Sequence, residues 1–398
     1  MKISFKLSAI LGTAAVLTLV ALFLGTPRLT HVEPVTPVTV SAPLAKVEPG
    51  QPIIQIALLL DTSGSMDGLL EQARGQLWNI VNRFSRARRD GVAPQLQIAL
   101  YAYGNTDPGA NRNEIRQVLP FTTDLDLVSE HLFALRTNGG SEYCGEVIHD
   151  ATTQLAWSRE PEAMRLIFIA GNESFDQGPM DFRVAMAAAR ERGISVSTIH
   201  CGDYEEGVDG DWKAAAEVAG GSYMNIDQNQ RVVEVSAPQD AEIARLGAEL
   251  NKTYVAYGAA GEQYQARQAQ QDRNSYSASL GSMVSRSVAK SSGNYSNESW
   301  DLVDAVKKNK VDLGAARDEE LPEPLRGLNA DARLAWVEAR ARERASLQQR
   351  IQALNAERTR FLDEARKQAQ GAQQDATLDG AIGQVVQREA QKRRFTLE

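Results

Sequence analysis

The stretch "QIALLLDTSGSMDGLLEQA", residues 55–73, decides the fold. An apolar run of strand character ends on Asp61, two serines follow at a spacing of two, and a helical pattern begins. Leu70, Ala73, Leu77, Ile80, Val81 and Phe84 then recur at helical spacing, the face of a helix that packs on a sheet. Further apolar runs at 53–60, 95–103, 165–170 and 194–200 read as strands, with "IRQVLPF" and "SYMNI" as shorter strands toward the edges. Strands that alternate with amphipathic helices predict an α/β fold, a Rossmann-like, doubly wound and mostly parallel sheet covered on both faces.

In such a sheet the ligand site lies beyond the carboxyl ends of the strands, and Asp61 stands just past the end of the first of them. A serine hydrolase of the α/β type needs its serine between glycines at GxSxG spacing and a histidine partner; the four histidines supply no such arrangement. The GxxxxGK phosphate loop is also absent. One carboxylate and two hydroxyls on a loop that Gly64 lets turn tightly suit a hard divalent cation. The alternative use of Ser63 and Ser65 is to cap the helix that follows. Asp67 fits the first turn of that helix as a favourable charge.

On these residues the chain resembles the von Willebrand factor type A family: "DTSGSM" after an apolar strand matches the family's DxSxS motif, over a region of about 52–235. The resemblance implies a metal-ion-dependent adhesion site whose first loop is Asp61, Ser63 and Ser65. It also implies a hydroxyl ligand from a second loop, where "NGGSEYCGE" places Ser141, and magnesium as the ion, with calcium or manganese as alternatives. The family's third loop carries an aspartate; "LIFIAGNESF" has none there, and Asn172 and Glu173 are the candidates for its place. An ion held by one carboxylate and neutral hydroxyls keeps charge and coordination positions for a carboxylate from outside. The expected function is therefore a protein-binding module whose partner presents Asp or Glu. The alternatives are a non-catalytic subunit or metal-dependent component of an envelope enzyme complex, and a structural scaffold whose metal site is vestigial. No catalytic constellation is identified.

The 398 residues carry 43 Lys and Arg against 51 Asp and Glu, a net charge of -8, without a long basic run, which argues against nucleic acid as a partner. Residues 1–28 hold two lysines and then an apolar run, an expected signal anchor or cleaved signal peptide. Residues 29–51, rich in Pro, Val and Thr, read as an extended tether. Together they predict a bacterial inner-membrane protein with its bulk in the periplasm, or a soluble periplasmic or secreted one after cleavage. In an oxidising space the two cysteines, Cys144 and Cys201, are expected to form a disulfide, with two buried free thiols as the alternative.

Beyond 235 the α/β rhythm is lost. Residues 236–320, rich in Gln, Ser and Asn, are expected to be mixed and partly flexible, and residues 321–398 mainly helical. Within the latter, Leu347, Ile351, Leu354 and Phe361 follow three- and four-residue steps. That stripe suits a coiled coil through which the chain forms a homo-oligomer, or a helix folded back on the body.

Overall fold

Nine consecutive buried residues, Ile53–Asp61, form β1, and a strand buried on both faces is what its unbroken apolar run demands. In the computed structural model, which describes residues 47, 50–106, 114–229, 235–368 and 377–397, β1 is central. The helix α1 (Asp67–Ser85) follows it, then β2 (Ala87–Arg88), β3 (Gln95–Tyr103), β4 (Arg116–Thr122), α2 (Leu125–Ala134) and α3 (Cys144–Gln154). The chain continues through β5 (Met164–Gly171), α4 (Phe182–Glu191), β6 (Ser195–Cys201), α5 (Tyr204–Asp209), α6 (Trp212–Ala219) and β7 (Tyr223–Ile226). The sheet order is β4-β3-β1-β5-β6-β7, parallel except for β4, with the two shorter strands at the edges as their lengths predict. Because β1 pairs with β3 on one side and β5 on the other, the connections diverge at its carboxyl end and leave a crevice there.

Alternate residues of β1 enter two separate cores. Ala57 and Leu59 join Val147, Ile148, Phe182, Ala185 and Trp212 under α3, α4 and α6. Ile54, Ile56, Leu58 and Leu60 face the other way, against α1, α2 and helices from the far end of the chain. These are α7 (Asp240–Asn251), α8 (Gly261–Ala278), α9 (Leu280–Lys290) and α12 (Leu378–Lys392). Between them run α10 (Leu302–Lys307) and the 39-residue α11 (Ala330–Gln368), and a third, smaller core gathers Val255, Leu302, Leu313, Leu325 and Val337. The helix α12 lays Leu378, Ile382, Val385 and Val386 into the sheet core beside α1 and beneath β5, β6 and β7. After three more residues, β8 (Thr396–Leu397) pairs antiparallel with β2. The last layer over one face of the sheet thus comes from about 150 residues beyond β7.

Within the segment expected to be mixed and partly flexible, the Gln- and Ser-rich stretch is helical and packed, because its polar side chains find buried partners. Trp78 Nε1 donates to Ser275 Oγ at 2.9 Å, Ser129 Oγ to Gln271 Oε1 at 2.9 Å, and Gln268 Nε2 to Tyr295 OH at 3.0 Å. Arg286, fully buried, bonds Asp126 at 2.7 Å and also Asp272, with the Trp78 ring 4.6 Å from its guanidinium carbon. Lys290 Nζ lies 3.2 Å from Asp272 as well. The stripe of α11 folds back on the body: Arg333, Val337, Arg344 and Ile351 are its buried positions, so arginines occupy half of the seam that a coiled coil would need apolar. Arg344 reaches Asp301 at 2.6 Å and Asp304 at 2.9 Å, its guanidinium carbon 4.1 Å from the centre of the Tyr254 ring.

The expected anchor, 1–28, and most of the tether, 29–51, lie outside the described residues. Among the described residues no helix is long and apolar enough to cross a membrane.

Candidate functional site

The chain turns sharply at the end of β1 because Asp61 Oδ1 accepts the Ser63 backbone N–H at 2.8 Å. Thr62 pins the turn to β3, its backbone N–H and its hydroxyl both donating to the Tyr103 carbonyl, at 2.8 and 3.0 Å. Asn138 N–H closes on the Thr62 carbonyl at 2.9 Å and so draws in the loop ahead of α3. Two glycines let backbone press against the Asp61 carboxyl. A Cβ on Gly104, whose φ is +72°, would meet Oδ1 at 2.9 Å, and one on Gly171 would meet Oδ2 at 2.9 Å and the Tyr103 hydroxyl at 2.4 Å.

Within this frame the Ser63 and Ser65 hydroxyls stand 3.3 Å apart, and Ser65 Oγ donates to Asn172 Oδ1 at 3.4 Å across from the end of β5. Neither hydroxyl caps α1. Met66 is the N-cap residue and no side chain bonds the first turn from it. Asp67 sits in that first turn, as its charge favours, and accepts the Thr137 hydroxyl at 2.5 Å.

Asp61 is fully buried, and its Oδ2 has no partner of ordinary hydrogen-bond geometry. Burial pushes its carboxyl up to about 7, opposed by the Ser63 backbone donor and reinforced by the charge of Glu142. Glu142 itself is raised, first by burial; a hydrogen bond from the Ser63 hydroxyl opposes this, and the charges of Glu173 and Glu114 add to it. Among the described residues no cation enters this balance. Beneath it, Tyr103 OH donates to the Ala170 carbonyl at 2.9 Å and so ties the ends of β3 and β5 together.

Of the residues expected in the site, Asp61, Ser63, Ser65 and Asn172 converge. Ser141 is joined to Glu114 through its backbone N–H, and it is the next residue, Glu142, whose side chain comes in beside Gly104 and the Asp61 carboxyl. The reason is local: the loop is pressed so tightly against Gly104 that a Cβ on Gly140 would lie 2.7 Å from its carbonyl, which sets residue 142 to face Asp61. Glu173 acts through its charge on Glu142, while its carbonyl accepts Trp212 Nε1 at 2.8 Å. His200 also adjoins the third loop, with Nε2 3.2 Å from the Asn172 carbonyl. The expected disulfide is not formed: Cys144 and Cys201 are free and buried, and they belong to the cores on opposite faces of the sheet.

The donor set is carboxylate, hydroxyl and amide oxygen, which fits a hard divalent ion better than zinc. Asp61 Oδ2, without a hydrogen bond of ordinary geometry, and the two serine hydroxyls, which leave the helix uncapped and make only long hydrogen bonds of 3.3 and 3.4 Å, are the features an ion would satisfy. Among the described residues no group of three or more His, Cys, Asp or Glu is placed to hold a metal, so any such ion depends on the hydroxyls.

A sequence profile of the von Willebrand factor type A domain matches residues 55–233. Among solved structures the chain is similar to BatB from Bacteroides thetaiotaomicron, at 19% identity over 44% of this chain and 90% of that one, with a TM-score of 0.34. It is similar to the SpRpn10 VWA domain, at 13% identity over 45% of this chain and 91% of that one, with a TM-score of 0.35. It is also similar to the pilus adhesin SpaC from Lactobacillus rhamnosus GG, at 12% identity over 46% of this chain and 28% of that one, with a TM-score of 0.35. Comparison with curated protein sequences gives no match. With that profile lying on the central sheet and on the loop of Asp61, Ser63 and Ser65, the chain carries a von Willebrand factor type A domain at residues 55–233.

Proposed function

We propose that this protein is a binding module that holds a divalent cation at the carboxyl end of its sheet and uses it to engage a protein partner. Asp61, Ser63 and Ser65 would hold the ion, with Asn172 facing them from the third loop. The observation that carries this reading is the buried, partnerless Oδ2 of Asp61 beside two hydroxyls that do not cap a helix. An ionised carboxylate kept in that state costs several kcal/mol unless a cation or a proton meets it, so its persistence at a strand end is better explained by binding than by stability. When bound, the ion supplies Lewis acidity and exchangeable positions for a carboxylate oxygen, the group an Asp or Glu on the partner would present.

Binding is preferred to catalysis because the Ser63 hydroxyl contacts Ser65, and the Ser65 hydroxyl contacts Ser63 and Asn172; neither is paired with a histidine base. The lysines and apolar run of residues 1–28 support a location outside the cytoplasm, tethered to the membrane.

The test is calorimetric titration of Mg²⁺, with Ca²⁺ and Mn²⁺ alongside, into the full chain and its Asp61→Ala variant. Saturable heat in the first and none in the second is the expected result. Absence of heat in both, or equal heat in both, would replace this reading with a scaffold that needs no ion.

A further inference from the structure

Resting on the metal-dependent reading above, the geometry points to Glu142 as an internal acid ligand of this site, one that competes with the carboxylate of a partner. The second loop, expected to offer the Ser141 hydroxyl, turns its next residue inward instead. Glu142 is 8% exposed and stands at Gly104 with Asp61 and with Ser63, whose hydroxyl is 3.3 Å from Ser65. A single point beside Gly104 lies 2.9 Å from Asp61 Oδ1 and 3.1 Å from Glu142 Cγ, so only a residue without a side chain lets both carboxyls share the pocket. Gly140 holds the loop there, packed against the Gly104 backbone.

The second observation is independent of the acid count: Asp61 Oδ2 is buried without a hydrogen bond of ordinary geometry, as an atom reserved for a ligand would be. The consequence is one of charge. A single carboxylate leaves a divalent ion with a net positive charge that attracts an acid from outside, whereas Asp61 and Glu142 together match the ion within the chain. A site of this second kind binds its ion without help from a partner, and a partner's Asp or Glu gains a foothold only by displacing Glu142. Glu142 is thus a specificity residue: it strengthens the ion and weakens the acid ligand.

The experiment titrates Mn²⁺ into the full chain and into Asp61→Asn, Glu142→Gln and Glu142→Ala, each with and without sodium acetate, with circular dichroism to establish that the variants are folded. Wild type is expected to bind Mn²⁺ alike in both buffers, and Asp61→Asn to bind none. Glu142→Gln and Glu142→Ala should weaken binding about tenfold or more, and acetate should recover affinity in Glu142→Ala, where it fits the space the side chain leaves. Wild type and both Glu142 variants binding equally would overturn the role of Glu142 while leaving the metal site standing. No binding by wild type would overturn both.

Discussion

Two places in this molecule bury carboxylates, and they treat them in opposite ways. Behind the sheet, Asp126 is bonded by Arg286 at 2.7 Å and by the Tyr295 hydroxyl at 2.6 Å. Asp272 is shared between Arg286 and Lys290 and accepts Asn251 at 2.5 Å; those two cations outweigh burial and hold its carboxyl below the usual range. At the carboxyl end of the sheet, Asp61 has one backbone donor to Oδ1, none of ordinary geometry to Oδ2, and acidic neighbours. The first arrangement is closed, with every charge answered inside the chain. The second is held open by glycines and pinned hydrogen bonds, and a fold spends stability on such a place only where something arrives to meet it.

The contrast is most severely tried by removing the cation that two carboxylates share. Arg286→Ala should lower stability by about 3–5 kcal/mol in urea denaturation, because it leaves Asp126 and Asp272 buried and underpaired. A loss below about 1 kcal/mol would mean that water reaches the cluster, and the distinction between the two regions would fall.

Asp61→Asn should act in the opposite direction. The folded carboxyl, at about 7, lies above its ordinary 3.8, so ion-free wild type loses stability as pH rises through that interval. At pH 8 the neutral variant should be more stable by about 2–4 kcal/mol, and at pH 3.5 the two should coincide. Thermal denaturation in chelator across this range checks it, and a constant difference at all pH values would contradict it.

The smallest effect concerns the frame alone. Gly171→Ala places a methyl against the Tyr103 hydroxyl and Asp61 Oδ2 and should cost about 1–3 kcal/mol by the same denaturation measurement. A neutral result would show that the backbone over Asp61 yields easily and does not hold the site.

How much of this was legible from residue order depended on how local the cause was. The strands were, since runs such as "IIQIALLL" have no other home than a sheet buried on both faces. The Asp61 loop was, since its carboxylate and hydroxyls lie within five residues. Glu142 was not, because whether residue 141 or 142 faces the site is set by contacts of the loop with Gly104 and Glu114, which are distant in sequence. The helices α8 and α9 were misread for a related reason: serine and glutamine suggest a solvated chain, and only partners such as Trp78, about 200 residues away, make them core. The separation of Cys144 from Cys201 followed from the face of the sheet to which each element turns, which the spacing of two cysteines does not carry.

The place of α12 also sets a timetable. During synthesis β1 through β7 leave the ribosome with Leu58, Leu60, Ile80 and Phe168 still lacking their neighbours Leu378 and Ile382. At ordinary rates of elongation, about 150 further residues take roughly 10–30 s. For that interval those side chains lack the cover that α12 gives them in the finished fold. A fragment cut at the border of the family match would remain in that unfinished state permanently.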